Sequence, residues 1–325
     1  MGKYIQKSGR VVAKLLQPAE TSFEMMHQIC RSIFSNKKKL VLIIDDTLIK
    51  KIFATNMRGT GMFYDTKLRI ALNAFRLMTA MITDGRYAIP IGCSYLFAKE
   101  LLDLCSEKFS SKDDLAKSFI RTALKLFPDK KIVVVADGLY ATVGLLDWCT
   151  KNNIAVEVRM HSNRVVIYKG TKRKLRELAM LPGVKLVGRQ MARTISVEWH
   201  GIPLEITIVK RIDKHGTESI VFQAATYKTE PREHVKHYQM RWPIEMGYRT
   251  KKQSLGLGDC YSKNLEIQYN HVAAVLLAYA LSQLQKRRLK LKTPEAAIAA
   301  GKEKITQRNF YQFVDQFNSS NWFYA

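Results

Sequence analysis

Acidic residues are the scarce class in this chain: 28 Asp and Glu stand against 53 Lys and Arg in 325 residues, a formal net charge of +25. The five cysteines, Cys30, Cys93, Cys105, Cys149 and Cys260, include no CxxC pair and no histidine at zinc-finger spacing. That excludes a disulfide framework and a structural zinc site, and it suits a reducing cytosol. Long apolar runs are missing as well. The longest stretch, His271 to Leu281, falls far short of a bilayer span, and the charged start Met1–Lys7 leads into no apolar segment of the kind a secretory signal carries. No internal repeat and no low-complexity stretch is found, so solenoids and linker-rich scaffolds drop out.

What is present is a folding chain with a polyanion's counterpart on it. Hydrophobic residues make up 47% and aromatics 10%, enough to bury one large core with an insertion or two modest domains. A basic surplus of this size most often serves nucleic acid, because each phosphate neutralised releases a condensed counterion. It also serves solubility.

The pattern along the chain is that of a layered α/β fold with one mixed sheet. Residues 1–38 read as a short leader, or as the remnant of a DNA-binding region, with a helical stretch Phe23–Phe34. From 39 to 153 lies the first part of the main fold. Leu40–Ile44 is a wholly apolar, β-branched run closed by Asp45-Asp46-Thr47, the mark of a buried central strand ending in acids. Arg69–Thr83 and Tyr87–Phe97 are two further strands about the turn Asp84-Gly85-Arg86. Ser111-Lys-Asp-Asp114 caps a crossover helix that Pro128 stops, and Ile132–Ala136 is a second buried strand, ending at Asp137-Gly138. Residues 154–228 alternate in short segments and carry the densest basic cluster, Lys169 to Arg176, so a β-rich basic insertion is expected there. Helices follow over 229–290, completing the core, and a helical tail rich in aromatics over 291–325.

The remaining signal is Tyr238, Arg241, Glu245 and Lys252, at offsets of three, four and seven residues. At about 100° per residue these positions fall within roughly 60° of one another on a helix. A carboxylate among a hydroxyl, a guanidinium and an ammonium makes a phosphate-and-metal site, or equally a solvated charged face. Pro243, inside the segment, should restart the helix near Trp242. Two acids on the ends of buried strands and a third on a later helix can converge, and hard carboxylate oxygens suit Mg²⁺ or Mn²⁺. Neighbours on a strand point to opposite faces, so only one of Asp45 and Asp46 can face such a site.

At these residues the chain resembles the DDE transposases of bacterial insertion sequences, in the branch marked by a Tyr-x2-Arg-x3-Glu-x6-Lys signature. Ile43-Ile-Asp45-Asp46-Thr47 is similar to that family's first-aspartate motif, Val135-Ala-Asp137-Gly-Leu-Tyr140 to its second, and Glu157–Arg164 to the basic strand that follows. The likeness spans residues 40 to about 285. It implies a ribonuclease-H-like mixed sheet with flanking helices, interrupted by a β-rich insertion and followed by C-terminal helices. It further implies a DNA transposase, an Mg-dependent endonuclease and strand-transfer enzyme of DNA recombination. Asp45, Asp137 and Glu245 would be catalytic and hold two Mg²⁺ ions, with Mn²⁺ able to substitute; Asp45 is preferred to Asp46 because the family shows Asp-x-Thr there. Tyr238, Arg241, Lys252, Trp242, Arg159 and Arg164 would bind DNA, Trp242 and Phe222 being the candidates for stacking on a base. The implied partners are double-stranded DNA, as element ends and as target, and a second copy of the chain in synapsis. The implied place is the cytoplasm, at the bacterial nucleoid. Family members usually carry a long DNA-binding region before the first aspartate, and 44 residues precede Asp45. A truncated or divergent copy is therefore expected, with the insertion and C-terminal helices supplying most DNA contacts. The alternatives are another ribonuclease-H-like nuclease, or a copy that binds DNA without cutting it.

Overall fold

A computed structural model describes residues 18–54, 57–65, 68–97, 110–187, 191–212 and 215–307. The tail aromatics from Phe310 onward, expected to close a helical end, lie outside these residues.

In chain order the elements are α1 (Ala19–Phe34), β1 (Lys39–Lys50), β2 (Gly61–Asp65), β3 (Ile70–Thr83), β4 (Ala88–Leu96), α2 (Lys112–Leu126), β5 (Lys131–Ala136), α3 (Val143–Lys151), β6 (Ala155–Met160), β7 (Val165–Tyr168), β8 (Thr171–Lys174), α4 (Leu175–Leu178), β9 (Ala192–Trp199), β10 (Ile202–Ile212), β11 (Glu218–Ala225), α5 (Pro231–Gln239), α6 (Trp242–Ser254), α7 (Leu265–Arg288) and α8 (Pro294–Gln307). All eleven strands share one mixed sheet. Its spine runs β2-β3-β1-β5-β6-β11-β10-β9-β7-β8, with β4 also on β3. β1, β5 and β6 are parallel neighbours, β3 is antiparallel to β1, and β4, antiparallel to β3, runs in the direction of β1. This mixed sheet with helices on it is compatible with a ribonuclease-H-like transposase fold. The segment 154–228 continues the same sheet, β11 pairing antiparallel with β6 from Glu157↔Ala225 to Met160↔Phe222.

β1 shows why the sheet is central. Leu40, Leu42 and Ile44 face the larger core, with Met26, Ile29 and Phe34 of α1 and Val272, Val275 and Leu276 of α7. Val41 and Ile43 face a second, smaller core with Val133, Val135, Tyr238, Ile244, Tyr248 and Tyr279. Apolar side chains on both faces are what a strand covered by helices on both sides requires.

Basic side chains close several element ends, which accounts for part of the charge surplus. Arg287 donates to the Ser32 and Ile33 carbonyls at the end of α1, and Lys130 to those of Ser35 and Lys37. Both satisfy carbonyls left over at the end of a helix.

Below α5, a buried polar ladder ties β6, β9 and β10 to that helix. Glu157 on β6 is fully buried; its Oε1 accepts from Tyr227 and lies 2.8 Å from His237 Nδ1. His234 Nδ1 lies 2.6 Å from Thr207 Oγ1, itself 2.6 Å from Thr194 Oγ1. Between the two halves, His234 Nε2 and Glu157 Oε2 stand 3.8 Å apart. Burial pushes His234 down to about 4 and raises Glu157 above the usual carboxylate range. Below pH 6.5 the unfolded chain therefore binds a proton that folded His234 refuses, so its contribution is present above pH 6.5 and is lost as pH falls toward 4. A raised Glu157 has the opposite slope just above its ordinary value and offsets part of this. In denaturant titrations His234→Gln should flatten the fall in stability between pH 6.5 and 4 by about 3 kcal/mol; an unchanged slope would show that His234 is not its source.

Candidate active site

The site is built where β1 and β5 run side by side. Their parallel register pairs Ile44 with Ala136, so the next residues, Asp45 and Asp137, stand at adjacent positions. Alternation then sets direction. Val41 and Ile43 point to the smaller core, as do Val133 and Val135, and Asp45 and Asp137 continue those odd-numbered rows. This is the face that α5 and α6 cover. Asp137 turns its Oδ1 back to the Leu139 amide, 2.8 Å away, starting a single 3₁₀ turn at Gly138–Tyr140. A Cβ on Gly138 would lie 3.2 Å from the Arg159 carbonyl oxygen, so the small residue lets this turn sit against the end of β6.

Asp46, one residue on, points to the other face and is fully engaged there. Arg76 Nε donates to it at 2.6 Å, Lys112 Nζ at 2.7 Å and the Tyr140 hydroxyl at 3.2 Å. Burial opposes its ionisation, but Lys112 and Arg76 outweigh that and hold its carboxyl below the usual range. Asp46 thus links β1, β3, the start of α2 and the turn after Asp137. Among these, Tyr140 was visible inside the second-aspartate motif; Arg76 and Lys112, 30 and 66 residues from Asp46, had no local signal.

The signature residues do not share one straight helix. The chain breaks between α5 and α6 at Met240 and Arg241, and Pro243 sits in the first turn of α6, where its missing N–H leaves no bond unmade. Tyr238 belongs to α5 and is buried on the smaller core with Val133 and Val135, its ring 5.9 Å from the Arg241 guanidinium. Burial raises its phenol, while the charges of Arg241, Arg159 and Arg211 pull the other way. Arg241 lies at the joint. Its Nη1 donates to Asp45 Oδ2 at 3.1 Å and its Nη2 to Glu245 Oε1, so one fork spans an acid of β1 and an acid of α6. Tyr248, one turn beyond Glu245, donates its hydroxyl to the Asp45 carbonyl at 2.8 Å. It could have been anticipated only from its place one turn along the same helix.

The other candidates fall at several distances from this centre. Lys252 donates to Thr47 Oγ1 and the Leu48 carbonyl, fastening the far end of α6 to β1. Trp242 opens α6 and is 58% exposed, so its ring is accessible beside Arg241. Arg159 is exposed next to the Asp137 turn, whereas Arg164 stacks its guanidinium 5.5 Å from the ring of Trp199 at the end of β9. Phe222 is buried on β11 between Met160 and Ile208, which removes it as a stacking residue: its alternation on the strand turns it into the core.

Burial pushes the Asp45 carboxyl up to about 7; Arg241 opposes this and the charge of Asp137 adds to it. Asp45 and Asp137 are thus near enough to repel, and Asp45 and Glu245 near enough to share a cation. Three carboxylates of this kind are hard oxygen donors of the sort Mg²⁺ and Mn²⁺ take, so the donor set fits such an ion. Among the described residues no group of three His, Cys, Asp or Glu is already drawn together to hold one; Arg241 lies between two of the acids and Asp137 faces its own backbone.

No helix among the described residues is long and apolar enough to cross a membrane. No curated protein matches the chain. The family model for the transposase DDE domain matches residues 111–281, a span that takes in Asp137 and Glu245 and begins downstream of Asp45. That match covers more than half of the 325 residues, and the chain accordingly belongs to the DDE transposase domain family.

Proposed function

We propose that the protein is the transposase of a bacterial insertion sequence, in the branch with the Tyr-x2-Arg-x3-Glu-x6-Lys signature, and that it cleaves phosphodiester bonds at the element's ends and joins them to target DNA. The observation that carries this reading is the Arg241 fork, which joins Asp45 of β1 to Glu245 of α6 on the sheet face where Asp137 also stands. In this reading Asp45, Asp137 and Glu245 hold two Mg²⁺ ions, which when bound activate the attacking oxygen and stabilise the leaving one. The rest is the work of the chain itself. Arg241 offers a planar fork for phosphate oxygens and Tyr238 a hydroxyl beside it. Lys252 keeps β1 and α6 in register while adding charge at the far end of the helix. Trp242 presents an open ring for a base that leaves the stack, and Arg159 and Arg164 neutralise backbone along the insertion. Synapsis brings two copies together on double-stranded DNA in the cytoplasm.

The test is nicking. Purified protein with Mg²⁺ or Mn²⁺ should cut a duplex that carries the inverted repeats flanking its gene, and should leave a scrambled duplex of the same length intact. Cutting that ignores the repeats would favour a ribonuclease-H-like nuclease of another kind. Binding without cutting would make the chain a DNA-binding copy.

A further inference from the structure

The Arg241 guanidinium is placed where a metal ion would have to act. It is bonded to Asp45 Oδ2 at 3.1 Å and to Glu245 Oε1, and these are acids from two different elements. It is only 20% exposed, as a group held between strand and helix must be. Arg76 and Lys112 spend their charge on Asp46, on the opposite face of β1, and Lys252 bonds to a hydroxyl and a carbonyl. The joint that carries Arg241 is also the break between two helices, so the side chain stands at the junction of α5 and α6 and not in the middle of either.

We propose that Arg241 is an internal counter-cation that competes with the metal for Asp45 and Glu245, so that the acids accept metal only as the guanidinium gives them up. This rests on the reading of Asp45 and Glu245 as metal ligands. Paired to Arg241, the two carboxylates pay less for lying close together in a half-buried site. Once the guanidinium swings away it is free to take a phosphate instead, so metal and DNA load the site together. A thermodynamic coupling of that kind works equally in both directions. Arg241 is in this sense a positioning residue before it is a phosphate ligand.

Metal affinity, measured without DNA and without turnover, tests this. Mn²⁺ is titrated calorimetrically into the full chain as wild type, Arg241→Gln, Arg159→Gln and Asp45→Asn. Arg159 lies on the same rim, so its variant controls for the plain loss of one positive charge. Arg241→Gln should bind Mn²⁺ about tenfold tighter than wild type or more, the effect of freeing two carboxylates from charged hydrogen bonds. Arg159→Gln should gain less than about threefold, as expected of a screened charge, and Asp45→Asn should lose the site. Should Arg241→Gln bind no tighter than Arg159→Gln, the competition is overturned and the metal reading survives. If neither wild type nor Arg241→Gln binds Mn²⁺, or if Asp45→Asn binds it as wild type does, both fall.

Discussion

Glu245→Gln should lower metal-dependent nicking of an end-bearing duplex by at least about a thousandfold, roughly 4 kcal/mol of barrier, while leaving the fold in place. The substitution keeps the size and the first turn of α6 and removes only a charge. A neutral amide is a poor ligand for a hard divalent ion, and it also strips Arg241 of one of its two acids. The cost in stability should be small for a separate reason. Glu245 is 36% exposed and Arg241 20% exposed, and an ion pair in contact with water contributes only about 0–1 kcal/mol. Nicking and urea unfolding measured on one preparation therefore separate the two effects. Activity equal to wild type would sink the assignment of Glu245, and a collapse in unfolding midpoint would mean that the loss of activity reports folding.

The second large effect is on stability and has the opposite sign. Lys251, the neighbour of Lys252 on α6, is fully buried. Its Nζ lies 4.8 Å from the Tyr248 ring centre, 4.9 Å from that of Tyr279 and 3.9 Å from Met81 Sδ. Burial pushes this ammonium down to about 7. Between pH 7 and 10.5 the unfolded chain therefore carries a proton that the folded chain releases, and stability rises with pH across that window. The implied cost of burying the charge at pH 7 is on the order of 4 kcal/mol, against which two desolvated cation–π contacts return about 1–2 kcal/mol each. Lys251→Met fills the same space with a thioether that suits aromatic neighbours. We expect its urea midpoint to exceed that of wild type at pH 7 and the gap to close toward pH 10.5, where the unfolded chain also gives up the lysine proton. A lower midpoint at pH 7 would show that the two rings more than repay the buried charge.

Much of the frame was legible in the sequence because local rules govern it. β1 and β5 announce themselves as short apolar runs ending in acids, α2 by the Ser111 cap with Asp114 reaching back, and the restart of α6 by Pro243. β2 escaped because Gly61–Asp65 is five residues long and its Met62 and Tyr64 point to solvent. The pairing of β11 with β6 also escaped. β6 and β11 are paired through Glu157 and Ala225, and nothing local in either strand marks a partner so far away in the chain. The same limit applies to the site. Strand alternation states that Asp45 and Asp46 face opposite ways, but which one meets α6 depends on where that helix packs. The spacing of the signature serves as a family mark more than as geometry, since Tyr238 and Glu245 sit on different helices, as the restart expected at Pro243 implies.

The clamps on β1 hold it from both faces. On one face Asp46 is bolted to β3 and α2, and on the other Tyr248 and Lys252 hold the backbone at Asp45 and Leu48. The strand also lies in the interior of the sheet, between β3 and β5. Glu245 rides on α6, which is joined to α5 through the two residues Met240 and Arg241. Tyr248 and Lys252 fasten that same helix to β1, so Asp45 and Glu245 are carried by one anchored block.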